Sequence, residues 1–175
     1  MMKYIKISSY SALLILLSAC NNVKNNEVEI VSEEQLCSQV KQLITQHNKG
    51  FSSIKGSLAS NQYMDVWKAK YHLVGNDCQV WRWADGKQAY MCSVSVPNKE
   101  SAIEKVNKAV DFSKQCLGNN WTMENIERKE TGAYRSIFSK SGLNTVASVH
   151  RVKTEGLFKS EWTVYYFIGD RDRSL

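Results

Sequence analysis

The segment Cys78 to Cys92, CQVWRWADGKQAYMC, constrains this chain more than any other. Alternating residues flank Ala84-Asp85-Gly86, a three-residue hairpin loop with glycine at the left-handed bulge position. That loop sets Trp83 opposite Lys87. Counting back along both strands then brings Cys78 directly opposite Cys92. Even positions carry Cys78, Val80, Tyr90, Cys92, Val94 and Val96, an apolar set that must meet a core. Odd positions carry Trp81, Trp83, Ala89 and Met91, so the hairpin has two apolar faces. Antiparallel sheets with one solvated face do not read this way.

Two helices are expected beside it. The first opens at the capping box Ser32-Glu33-Glu34-Gln35, carries the stripe Leu36/Cys37, Val40, Leu43/Ile44, and ends near Gly50. The second follows Pro97-Asn98 with the stripe Ala102/Ile103, Val106, Ala109/Val110, Cys116/Leu117, and stops at Gly118. Its acids Glu100 and Glu104 come early and Lys114 late, as the helix dipole prefers. Cys37 and Cys116 therefore both point inward, and a Cys37–Cys116 disulfide beside Cys78–Cys92 accounts for all four. Free buried thiols and a zinc site are the competing readings. The second is opposed by the lack of any CxxC pair.

Strand-like runs lie near 63–74, 78–84 and 88–96 after the first helix, and near 133–139, 143–152 and 161–168 after the second. The expected fold is α+β, in the order αβββ-αβββ, with an antiparallel sheet packed on two helices. The order leaves room for pseudo-symmetry, although the two halves share no convincing identity.

The amino terminus carries an address. Lys3 and Lys6 precede the short apolar run Ala12 to Leu17, and Ser18-Ala19 lead to Cys20. This is a secretory layout, and the run is well below the ~20 residues that a spanning helix needs. Leu17-Ser18-Ala19-Cys20 resembles the lipobox of bacterial lipoproteins. That resemblance implies a signal peptide over 1–19, diacylglyceryl transfer to the Cys20 thiol and acylation of the new amino terminus. Several chains on one cysteine anchor stably, whereas one anchors marginally. Asn21 follows the cysteine where an aspartate would mark inner-membrane retention in enterobacterial lipoproteins. The resemblance thus implies the outer membrane, on its periplasmic face. Residues 20–31, rich in asparagine, are expected as a lipidated tether before a single domain over 32–175.

Composition narrows function mainly by exclusion. The chain of 175 residues has a net charge of +6, and loss of residues 1–19 removes two lysines and leaves +4. Lysines and glutamates are interspersed without an arginine run, so nucleic-acid binding gains no support. His47 reads as packing on the first helix, and His72 and His150 lie on strand-like runs without metal-ligand spacing. No GxSxG, GxGxxG or CxxCH motif occurs, and no catalytic residue, metal or cofactor is assigned. Asp170-Arg171-Asp172-Arg173 reads as a solvated charge run.

One candidate site remains: Trp81, Trp83 and Met91 on the second face of the hairpin, with Arg82 and Lys87 near its tip. Either the rest of the domain or the loop Leu117 to Arg128 covers the tryptophans, or they form an aromatic patch for a partner. The expected function is a non-enzymatic, lipid-anchored envelope protein acting by protein contact, as an assembly accessory or an immunity-type inhibitor. A small-ligand or peptidoglycan-binding module is the alternative, and an envelope hydrolase with a scattered site is a third.

Overall fold

The computed structural model describes residues 32–59, 63–155 and 160–174. Cys20 and the tether lie outside the described residues. Helix α1 spans Glu33–His47, and Oγ of Ser32 accepts from the amide of Gln35 at 3.2 Å to cap it. Helix α2 spans Lys99–Leu117, capped by Oδ1 of Asn98 on the amide of Ser101 at 2.8 Å. Gly118 closes α2 with φ 74°, a left-handed value that glycine adopts without a Cβ penalty.

The strands are β1 (Lys55–Leu58), β2 (Met64–Ala69), β3 (Asp77–Trp83), β4 (Gln88–Val96), β5 (Thr122–Arg128), β6 (Ala133–Ser139), β7 (Thr145–Glu155) and β8 (Ser160–Asp170). They form one antiparallel sheet in the order β1-β2-β3-β4-β8-β7-β6-β5. The fold is α+β, with two helices packed on an antiparallel sheet. Each helix is followed by four strands rather than the expected three. The additional strands are β1 and β5, which are the two edges of the sheet. Both are mostly exposed, so neither carries the alternation of apolar and polar residues that marks a half-buried strand.

The helices pack on the central strands β4, β7 and β8. Val40 and Leu43 of α1 and Ala102, Val106 and Ala109 of α2 meet Val80, Tyr90, Cys92, Val149, Val164, Tyr166 and Ile168 of the sheet. The even-numbered face of the hairpin is thus the helix-facing one. Tyr90 keeps its hydroxyl satisfied inside this core, donating to the Tyr71 carbonyl at 3.0 Å and accepting from the Leu73 amide at 3.3 Å. Burial raises the phenol of Tyr166 to about 12, and that residue meets Ser113 Oγ at 3.2 Å.

Disulfides join Cys37 to Cys116 between the helices and Cys78 to Cys92 across the hairpin. The register places Cys78 opposite Cys92 and Trp81 opposite Ala89. Strand β8 fits closely against β4 only because position 169 is glycine. A Cβ there would stand 2.6 Å from that of Ala89 and 2.8 Å from the Gln88 carbonyl oxygen.

Candidate functional site

The opposite face of the sheet holds a second apolar cluster to which no helical residue belongs. Ala89 and Met91 of β4, Ile137 of β6, Val146 of β7 and Phe167 of β8 are buried there. Trp81, Trp83, Ile126 and Tyr165, partly buried, pack against them. Register explains the grouping: Met91 lies opposite Phe167, Phe167 opposite Ser148, and Ser148 opposite Ile137. Side chains of one parity across four strands therefore form one surface.

Trp81 and Trp83 meet edge to face, with ring centroids 5.9 Å apart and planes at 65°. The indole N–H of Trp81 donates to Oε1 of Gln79 at 2.7 Å. The guanidinium of Arg173 lies 5.3 Å from the ring centroid of Trp83. The structure thus brings Trp81, Trp83 and Met91 together. Arg82 and Lys87 stand beside Trp83 along the chain and across the turn, where the Trp83 amide donates to the Lys87 carbonyl at 3.0 Å, but their charged groups are engaged elsewhere. Arg82 alternates to the helix-facing side, where its Nε donates to Asp65 at 3.0 Å and its guanidinium lies 5.4 Å from the Trp67 ring. Lys87 pairs with Asp172.

The charge run at the C-terminus is not merely solvated. Residues Arg171–Arg173 form a 3-10 turn that clasps the tip of the β3–β4 hairpin. Arg173 pairs with Asp85 as well as covering Trp83, and Oδ2 of Asp170 accepts from the Gln88 amide at 3.1 Å. The hydrogen bond to Arg173 lowers the Asp85 carboxyl, and the hydrogen bond from Lys87 lowers that of Asp172. The alternation Asp-Arg-Asp-Arg matches Asp85 and Lys87 in the hairpin loop, a complementarity visible in the sequence only once the two segments are known to meet. The loop expected to cover the tryptophans cannot do so. Residues 122–128 form β5, with β6, β7, β8 and β4 between them and β3.

Beside Trp83 lies a shallow depression of about 430 Å³, lined by Tyr63, Met64, Asp65, Arg82, Trp83, Ala84 and Gly86. Tyr63 is 73% exposed there. Aromatic rings next to a carboxylate and a guanidinium suit a polar ligand with one flat apolar side.

Two histidine constellations emerge that the sequence did not reveal. His47 joins Thr145 through Nδ1 and Asp170 through Nε2, a hydroxyl–imidazole–carboxylate chain with the two ring nitrogens exchanged relative to the serine hydrolase triad. Thr145 is only 2% exposed, so no substrate carbonyl reaches its Oγ1 unless the end of α1 lifts. Ser148 Oγ lies 2.7 Å from His150 Nε2 on the helix-free face. Burial, and then the charge of Arg135, lowers the His150 imidazole to about 3, which keeps it neutral. Ser148 and His150 are both buried. Among the described residues no three His, Cys, Asp or Glu side chains are placed to share a metal ion, and no helix is long and apolar enough to cross a membrane.

Neither family models nor curated proteins nor solved structures give a significant match to this chain.

Proposed function

We propose that the chain is a lipid-anchored cell-envelope protein, held through Cys20 at the periplasmic face of the outer membrane. It works there by protein–protein contact, as an assembly accessory or an immunity-type inhibitor, without catalysing a reaction. The observation that carries this reading is the paired tryptophans on the face of the sheet away from the helices. Large, rigid aromatic side chains with a guanidinium beside them supply the anchors of protein interfaces at small entropic cost. The histidine constellations are buried, which favours structural roles for them.

The test replaces Trp81 with a photo-crosslinking residue in cells, with Lys108 on the outside of α2 as control. A discrete, protease-sensitive adduct at position 81 and none at 108 supports the reading, and its absence at 81 rejects it. For the anchor, Cys20→Ala is expected to yield an unlipidated precursor that leaves the membrane fraction. Processing of the parent that is insensitive to globomycin rejects the anchor.

The depression beside Trp83 favours a second reading, a small-ligand or peptidoglycan-binding module. Titration with soluble muropeptides, followed by tryptophan fluorescence, tests it. A saturable change lost in Trp83→Ala supports the module, and an unchanged spectrum rejects it.

A further inference from the structure

The two edges of the sheet differ in kind. At one edge β1 has four residues and a register irregularity between Lys55 and Leu58, and short, bulged edges resist added strands. At the other, β5 runs in unbroken register from Thr122 opposite Ser139 to Arg128 opposite Ala133. Among the described residues no strand pairs with its outer side.

Charges on an edge usually deter a second strand. Here their signs and spacing do the reverse. Thr122, Glu124, Ile126 and Arg128 share the helix-free face, and Met123, Asn125 and Glu127 the other. Glu127 is engaged within the chain, accepting from Arg151 at 2.9 Å, and Asn125 accepts from Ser136 at 2.7 Å. Among the described residues Glu124 and Arg128 make no ion pair, and both are exposed. They stand four residues apart with Ile126 midway between them.

We infer that β5 pairs antiparallel with β5 of a second copy, in the register that sets Ile126 against itself. Directly opposed residues of an antiparallel pair share a face, so a two-fold axis passes through a residue and never between two. An axis at Glu124 opposes two carboxylates. An axis at Asn125 sets Glu124 against Ile126. The axis at Ile126 opposes Glu124 to Arg128 of the second copy, twice by symmetry, with Ile126 on Ile126 between them. Opposite charges directly across a strand pair stabilise it, and like charges destabilise it. Ile126 already packs against the cluster of Phe167 and Ile137, so the helix-free faces of the two copies become continuous.

Charge exchange tests this on the full chain by sedimentation equilibrium. The parent is expected to dimerise, and Glu124→Arg or Arg128→Glu alone is expected to weaken the dimer at least about tenfold. Mixing the two variants restores it, because every opposed pair is then of opposite sign. Single variants that dimerise like the parent, a mixture that stays monomeric, or a monomeric parent overturns the inference. A second readout does not depend on the charge variants folding. Ile126→Cys is expected to give a reducible cross-linked dimer, and Leu58→Cys on the other edge is not. Failure of Ile126→Cys to cross-link overturns the inference as well.

Discussion

Oδ2 of Asp170 stands 3.2 Å from Nε2 of His47, tying the last residue of β8 to the last residue of α1. The other imidazole nitrogen meets Oγ1 of Thr145, the first residue of β7, at 2.7 Å. One side chain thus fixes the end of a helix to two neighbouring strands. His47→Ala leaves the buried Thr145 hydroxyl without this partner, and an unsatisfied buried group costs about 1–3 kcal/mol. Urea unfolding is expected to show a loss of that size. A loss under about 0.5 kcal/mol, the level of an ordinary surface change, contradicts the fastening role.

How far the sequence could be read depended on whether a feature was local. The β3–β4 hairpin was legible because turn chemistry fixes register within fifteen residues, and register fixes which cysteines meet. The helices were legible from caps and stripes. Edge strands β1 and β5 were not, because both faces of each are wet and alternation disappears. The clasp of Asp172 on Lys87 was hidden for a different reason. An alternating charge run looks the same whether it faces water or a complementary loop far away in the chain.

The two disulfides differ in how much they restrict the unfolded chain. Cys37–Cys116 closes a sequence separation of 79 and Cys78–Cys92 one of 14. In the chain-entropy model these correspond to about 4.5 and about 3 kcal/mol. Replacing both cysteines of each pair by alanine is expected to lower stability in that order, read by denaturant unfolding. The reverse order contradicts an entropic origin and points to strain or packing at the helix–helix bridge.

Trp83 separates cover from contact. It is half-buried, shielded by Trp81 on one side and Arg173 on another. Fully buried tryptophans cost about 3–5 kcal/mol on truncation, and a half-buried one is expected to cost less, about 1–2 kcal/mol. Trp83→Ala is therefore expected to fold, with a modestly lower Tm, and to lose the protein contact proposed above. Arg173→Ala is expected to change Trp83 fluorescence, because the guanidinium leaves the ring. A collapse of folding in Trp83→Ala assigns the face to the core.

His150 predicts how stability responds to acid. Its imidazole is held at about 3 in the folded chain, against an ordinary value of 6.5, first by burial and then by the charge of Arg135. The folded state therefore binds fewer protons than the unfolded state between these two values. Stability contributed by the neutral ring is complete above about 6.5 and falls as pH drops toward 3, by about 1.4 kcal/mol per unit. From pH 6.5 to pH 5 this residue alone is expected to cost about 2 kcal/mol. His150→Gln can still offer an amide to Ser148 but does not titrate, so its unfolding free energy is expected to fall less over the same interval. The difference between the two slopes isolates the imidazole from the carboxylates, which titrate in both proteins. Equal slopes in the parent and His150→Gln show that the folded ring takes up its proton as readily as the unfolded one, and contradict the lowered value.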